Sequence, residues 1–330
     1  MTTINLTKNS YGTQLKFERS HSTIQFNVNT VPTEKVTALF LTHFSIDAQE
    51  KILSSKLMTD LPIYLSKEAF ELRQQLILLG ELEKTQLNYK IIPVNIPVII
   101  DDFTITALMS DSIYTGSLTF LIEDDDHKRV FFTGDTRLNG PRKKRTKKWI
   151  HHINQSPLDT LILDTNHEPN VNNYTEITIL DHLNKQLKIN DLTAITLPNE
   201  NLHLVYNLTV LAKKLDKIVV LNSKLNHLLA YFYPESKTIL LDSSSIPVIK
   251  NDPAKYILIN VKDVSDSFTI TPKNRYVLAD YFENNKNKNA LSISSHLSQL
   301  DVHELLNRLS VSPKQLIVMD PNFTDNTLSY

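Results

Sequence analysis

An α/β fold in two units is what this sequence predicts, from its buried apolar runs, the helical periodicity between them and the placing of its few glycines. Runs such as KVTALFLT at Lys35–Thr42 and LDTLILD at Leu158–Asp164 have the β-branched and apolar composition of strands buried on both faces. Between such runs the period changes to that of a helix, as in Lys67–Leu82 with Ala69, Leu72, Leu76 and Leu79. Glycine is scarce, five in 330 residues, yet Gly116, Gly134 and Gly140 all fall within residues 111–140. Backbone geometry is therefore demanded there, and the chain is organised around that stretch.

Taken in order, Leu15–Val31 alternates as two short strands around a polar turn. The apolar strand Lys35–Thr42 runs into His43-Phe44-Ser45-Ile46-Asp47-Ala48, and polar residues after a buried strand sit at its C-terminal end, where sheet-based sites are built. A short helix over 49–57, a strand at Pro62–Leu65, the helix Lys67–Leu82 and a strand at Phe103–Leu108 follow. Leu118–Glu123 and Arg129–Thr133 form a hairpin through Asp124-Asp125-Asp126-His127. Its second strand ends in Thr133-Gly134-Asp135, which makes Asp135 the first site candidate, although an Asx turn closing a hairpin leaves the same triplet. Pro141–Ile153 reads as a helix with proline at its start, and Leu158–Asp164 as a buried strand.

After Asp164 the polar stretch TNHEPNVNNY marks a boundary. Helices over 176–188, 201–215 and 224–233 then alternate with strands at 193–197, 217–221 and 238–241, a compact α/β insert. Tyr256–Val261 and Phe268–Thr271 add short strands, and the polar run 283–289 is a second boundary. Beyond it come a strand at Ala290–Ser294 leading to His296, a helix at Asp301–Leu309 and a strand at Gln315–Met319 ending at Asp320. The expected division is a first part of the core over 1–168, an insert over 169–283, and a C-terminal return into the core over 284–330.

Composition narrows the chemistry. A net charge of -1 gives no global attraction to nucleic acid, so a polyanion partner needs a local basic patch. The cluster that offers one is Arg142, Lys143, Lys144, Arg145, Lys147 and Lys148, on a helix that spreads its cations around most of its circumference. RNA or DNA phosphates would bind there with salt-dependent affinity; a solvated helix anchored by Trp149 and Ile150 is the competing explanation. With no cysteine, disulfides and thiolate metal sites are excluded, and His, Asp and Glu remain as metal ligands. No cationic-then-apolar N-terminal signal and no apolar run of about 18 residues is present, so a cytoplasmic protein without a membrane partner is expected.

Strand-then-His43-x-Ser45-x-Asp47-Ala48 resembles the strand-then-HxHxDH signature of the metallo-β-lactamase fold. Asp111-Ser112-Ile113-Tyr114-Thr115-Gly116-Ser117 looks like that family's DHSxxGS segment, and RVFFTGDTRLNG at Arg129–Gly140 like its strand-TGD-[FL]R segment. His296, the following helix and Pro313–Asp320 resemble the closing segments of the β-CASP, ribonuclease J-like branch. The resemblance implies an αββα sandwich with an inserted smaller α/β domain. It also implies a hydrolase ancestry in which two metal ions activate a water for attack on an ester.

The departures from that pattern are Ser45, Ala48, Ser112 and Asp320, each standing where the family carries histidine. Carried over residue by residue, a partial metal site of His43, Asp47, Asp135 and Asp320 remains, with Asp47 and His296 catalytic only in an active enzyme. A dinuclear zinc centre is not expected; the oxygen-rich remainder suits a single Mn²⁺, Mg²⁺ or Ca²⁺. Unpaired, the converging carboxylates repel one another, so a cation, solvent, or a base such as His43 or a lysine must face them. The leading expectation is a degenerate hydrolase homologue that binds or regulates in nucleic-acid metabolism, pairing with itself or with an active homologue. Its rivals are a nuclease using one hard cation and a hydrolase of small esters or lactones.

Overall fold

The computed structural model describes residues 1–9, 12–20, 22–31, 36–55, 60–165, 175–188, 191–197, 201–260, 272–279, 290–292, 296–320 and 326–329. Asp47 and Ala48 are described in their backbone only. The strand expected at Phe268–Thr271 and the polar run at 283–289 lie outside the described residues, as does all but the first residue of the stretch after Asp164. The chain divides into two compact units, Met1–Val171 with Ser295–Tyr330, and Asn172–Ser294.

In the first unit the chain forms β1 (Thr3–Asn9), β2 (Gly12–Arg19), β3 (Ser22–Phe26) and β4 (Ala38–Phe40). One turn of π-helix, Ile46–Glu50, leads into α1 (Lys51–Ser55), followed by β5 (Pro62–Leu65), α2 (Lys67–Leu78), β6 (Asn88–Ile91) and β7 (Val98–Ile100). Then come β8 (Phe103–Met109), β9 (Leu118–Asp124), β10 (Arg129–Phe132), α3 (Lys143–Ile153) and β11 (Thr160–Asp164). The second unit holds α4 (Glu176–Gln186), β12 (Thr193–Thr196), α5 (Leu202–Lys214), β13 (Ile218–Leu221), α6 (Ser223–Phe232), β14 (Thr238–Leu240), α7 (Ser245–Asn251), β15 (Tyr256–Ile259), β16 (Asn274–Ala279) and β17 (Ala290–Ser292). The first unit resumes with α8 (Gln299–Arg308), β18 (Gln315–Met319) and β19 (Asn326–Ser329).

Two sheets make the first unit, ordered β19-β1-β2-β3-β4-β5-β6 and β18-β11-β10-β9-β8-β7. Their facing sides share one core. Ile4, Leu6, Phe17, Phe26 and Phe40 of the first sheet pack on Phe103, Phe120, Phe132, Ile162 and Met319 of the second. Rings lock the layers, with Phe26 5.1 Å from Phe40 and 5.0 Å from Phe120 between centroids. On the outer side of the second sheet, Phe131, Leu161 and Leu163 pack on Trp149, Ile150 and Ile153 of α3 and Leu305 of α8. On the first sheet α2 contacts β6 and buries Ala69, Leu72 and Leu76. The layers run helix, sheet, sheet, helix: β10 and β11 of the second sheet are apolar on both faces and need a cover on each, whereas the outer face of β1 and β2 carries half-buried polar residues such as Asn5, Gln14 and Lys16.

Glycine acts where the layers touch. Gly134 has φ +54°, and a Cβ there would stand 2.5 Å from Thr42 Cγ2 of the opposite sheet. Gly116, at φ +77°, abuts the N-terminus of α2, where a Cβ would meet Ser66 Oγ at 2.4 Å and the Ala69 nitrogen at 2.6 Å. The hairpin's fit against both neighbours thus depends on these two residues.

The second unit is one parallel sheet, ordered β14-β13-β15-β12-β16-β17. Thr175, Asn201 and Asn222 cap α4, α5 and α6, each side chain accepting a backbone N–H of its first turn. Ala290–Ser292 pairs with β16 here, so this strand belongs to the parallel sheet and not to the C-terminal return. The strand expected over Lys35–Thr42 is shorter, Ala38–Phe40; Leu41 still donates to the Tyr64 carbonyl of β5, and the Thr42 N–H passes to the Asn27 side chain.

Candidate functional site

The candidate site forms where parallel strands end together. β10, β11 and β18 run parallel in register, with Phe132 opposite Ile162 and Asp164 opposite Met319. Their C-terminal ends therefore lie side by side. Past β10, the turn Thr133-Gly134-Asp135 is held by the Thr133 nitrogen donating to the Ile162 carbonyl at 3.1 Å, and by the Asp164 nitrogen donating to Thr133 Oγ1 at 3.0 Å. A lone bridge from Thr165 to Leu297 brings His296 over the same edge.

Asp135, Asp164 and His296 each offer a ligand atom, and these atoms lie within 4.8 Å of one another. Both carboxylates are buried. His43 joins from the other sheet, its Nδ1 3.6 Å from Asp135 Oδ2 and 3.1 Å from Thr42 Oγ1. Its ring stacks on Tyr114 with centroids 4.2 Å apart, and its Nε2 stands 3.4 Å from Gln49 Nε2. His43 is thus held at both ring nitrogens and on one ring face.

Asp164 is the residue that sequence reasoning passed over, and its partner Lys8 is another. In β1 the alternation of Ile4 and Leu6, both buried in the core between the sheets, puts Lys8 on that same inner face. Lys8 Nζ donates to Asp164 Oδ1 at 2.6 Å, to the Met319 carbonyl at 2.8 Å and to the Thr165 carbonyl at 3.2 Å. Burial pushes the Asp164 carboxyl upward, but the facing His296 and Lys8 charges outweigh it and hold the group below its ordinary value. The available signal was parity: a lysine at an inward position of a strand, in the pattern INLTK.

Of the expected ligands, the structure brings His43 and Asp135 together. Asp320 is not among the donors that converge. Asp320 follows directly on the last residue of β18 and is half-buried. The side chain of Asp47 lies outside the described residues.

The loop carrying Gln49 is anchored by a buried pair. Arg73 of α2 binds Glu50 through NH2 to Oε1 at 2.7 Å, Tyr89 also donates to Glu50, and the guanidinium lies 4.3 Å over the Tyr89 ring. Beside Asp135, Ser110 Oγ donates to its carbonyl at 3.4 Å. The adjoining Asp111 accepts from Arg137 Nε at 3.1 Å and from the Arg142 nitrogen at 2.7 Å. Through Asp111 the start of α3 is tied to the loop next to the site.

On α3 the cations do not surround the helix. Thr146, Trp149, Ile150 and Ile153 are buried, whereas Lys143, Lys144, Lys147 and Lys148 are exposed. The four lysines span about 140° at 3.6 residues per turn, opposite the anchor. Arg142 and Arg145 are half-buried, Arg145 pairing with Glu68 at 3.3 Å. A cavity of about 580 Å³ in the second unit, lined in part by Tyr206, Lys213, Lys217 and Glu235, holds none of the expected site residues. No helix of the described residues is long and apolar enough to cross a membrane.

No family model and no curated protein matches the chain. Among solved structures, a metallo-β-lactamase fold protein, YhfI, from Bacillus subtilis aligns over 50% of this chain and 72% of its own, with TM-score 0.37 and 18% identity. A possible metal-dependent hydrolase from Veillonella parvula aligns over 56% and 80%, with TM-score 0.38 and 14% identity. A protein of unknown function from Enterococcus faecalis V583 aligns over 96% of this chain and 93% of its own, with TM-score 0.74 and 15% identity. Over nearly its whole length, then, the chain is similar in fold to that enterococcal protein.

Proposed function

We propose that this chain is a metallo-β-lactamase-fold protein of the β-CASP, ribonuclease J-like type that no longer performs dinuclear zinc hydrolysis and acts by binding a polyanion, RNA in the first instance. The donors at the strand ends do not fit a zinc pair. Ser45, Ala48 and Ser112 supply no imidazole, and an ammonium already holds Asp164. Purified protein is accordingly expected to carry well under one equivalent of zinc. Elemental analysis returning two tightly held zincs would defeat the proposal.

The single observation that carries the binding role is the lysine face of α3. Lys143 and Lys144 stand in the first turn, which carries no acidic residue of its own, the carboxylate at the helix start, Asp111, being engaged by Arg137 and the Arg142 nitrogen. The positive end of the helix dipole disfavours cations there by roughly 0.3–1 kcal/mol each. A local rule broken at an exposed, otherwise well-anchored helix fits selection for an anionic ligand. Arg145 pairs with Glu68 and Arg142 is half-buried, so the ligand contacts fall first to the four exposed lysines.

The test is a short single-stranded RNA titrated against wild type and a variant with Lys143, Lys144, Lys147 and Lys148 changed to Gln, across a salt series. Wild type should bind with a steep salt dependence. The variant should lose nearly all affinity, its slope of log K against log salt falling by roughly 0.7 per lost phosphate contact. Equal binding by both proteins, or no salt-sensitive binding by wild type, overturns the assignment.

A further inference from the structure

We infer that Lys8 is the resident cation of the strand-end cluster, its ammonium standing in place of a divalent ion among Asp135, Asp164 and His296. The inference deepens the proposal above and rests on its loss of the metal centre, not on RNA binding.

An ammonium has three protons to donate, and Lys8 Nζ meets three oxygens: Asp164 Oδ1, the Met319 carbonyl and the Thr165 carbonyl. All three oxygens lie at the C-terminal ends of two neighbouring parallel strands. The Asp164 side chain is buried at 1% exposure and that of Lys8 is largely covered at 11%. Such an arrangement satisfies a point charge much as oxygen ligands satisfy a metal, and it does so with a cation that cannot leave. The position follows from β1 itself: residues 4, 6 and 8 share the inner face, and at residue 8 the apolar series gives way to a lysine.

Two consequences follow from like charges. A divalent ion entering between Asp135 and Asp164 would stand close to the Lys8 ammonium in a poorly solvated site, so wild type should bind such ions weakly. Removing the ammonium while keeping an apolar stem should uncover a site with two carboxylates and an imidazole, a donor set suited to Mn²⁺. Asp164, whose carboxylate also interacts with the Thr13 side chain, keeps a buried Oδ2 with no well-formed hydrogen bond among the described residues, and that oxygen is then available as a ligand atom.

The experiment titrates Mn²⁺ alone into wild type, Lys8→Met and the double variant Lys8→Met/Asp164→Asn, following loss of the free-ion electron paramagnetic resonance signal. The expected result is weak binding by wild type, one equivalent bound about a hundredfold more tightly by Lys8→Met, and loss of that gain in the double variant. If wild type binds one equivalent as tightly as Lys8→Met, or Lys8→Met gains nothing, the inference fails. Should Lys8→Met not fold by itself, refolding it with millimolar Mn²⁺ decides the matter. Recovery of the native Trp149 fluorescence supports the inference, and no recovery overturns it. RNA binding is measured separately in chelator-treated buffer, so failure of either idea leaves the other readable.

Discussion

Arg73→Met should destabilise the first unit by about 3–5 kcal/mol, the cost of leaving a buried carboxylate without its counter-charge. Glu50 is 2% exposed and takes its charge partner from Arg73 and a further hydrogen bond from Tyr89. Once the guanidinium is gone, Tyr89 is the side chain left bonded to the carboxylate among the described residues, and the cation over its ring is lost too. The effect should reach the candidate site, because Glu50 closes the π-helical turn that carries Gln49 to His43. Urea denaturation followed by the single tryptophan, Trp149, measures it. Adding Glu50→Gln to Arg73→Met should restore part of the loss, since it removes the stranded charge. If the single variant loses under about 1 kcal/mol, the pair behaves as a solvent-exposed bridge and its anchoring role is wrong.

Gly116→Ala is expected to cost about 3 kcal/mol, from two sources that add at one residue. The backbone is left-handed there, and the new methyl would overlap the Ser66 hydroxyl and the Ala69 nitrogen. Ser66 is also the N-cap of α2, accepting from the Ala69 nitrogen at 3.0 Å, so the overlap disturbs a helix start as well. Removing the hydroxyl with Ser66→Ala should not rescue the variant, because the Ala69 backbone cannot withdraw. A Gly116→Ala protein with an unchanged urea midpoint would mean that the loop between β8 and β9 is not held against α2. Full rescue by Ser66→Ala would mean that the hydroxyl overlap was the whole cost.

Much of this molecule was legible because it depends on residues near one another in sequence. The hairpin Leu118–Asp124 with Arg129–Phe132, the helices at Lys67–Leu78 and Lys143–Ile153, and the strand Thr160–Asp164 follow from period, turn chemistry and caps. The same local signals gave the alternating strands and helices of the second unit. They faltered where a segment breaks its own pattern. In α7 Pro247 sits in the first turn, where the missing N–H costs nothing but the sequence reads as a breaker. Near β6 and β7 the exposed Ile91, Ile96 and Ile99 obscure any alternation.

The site itself divides in the same way. The sequence by itself determined that a carboxylate would follow Gly134 at a strand end, that His43 would sit at another, and that histidine is missing at Ser45, Ala48 and Ser112. It left open whether solvent, a cation, or a base such as His43 or a lysine faces the carboxylates. Only the tertiary structure decided that Lys8, 156 residues away in sequence, pairs with Asp164, that Asp164 converges with Asp135 and His296, and that the lysines of α3 share one face. The physical reason is that side-chain parity is written in each strand, but which strands lie side by side, and in what register, is fixed by packing across the two sheets. A one-residue change of register would have turned Asp164 away and brought a different neighbour to Lys8.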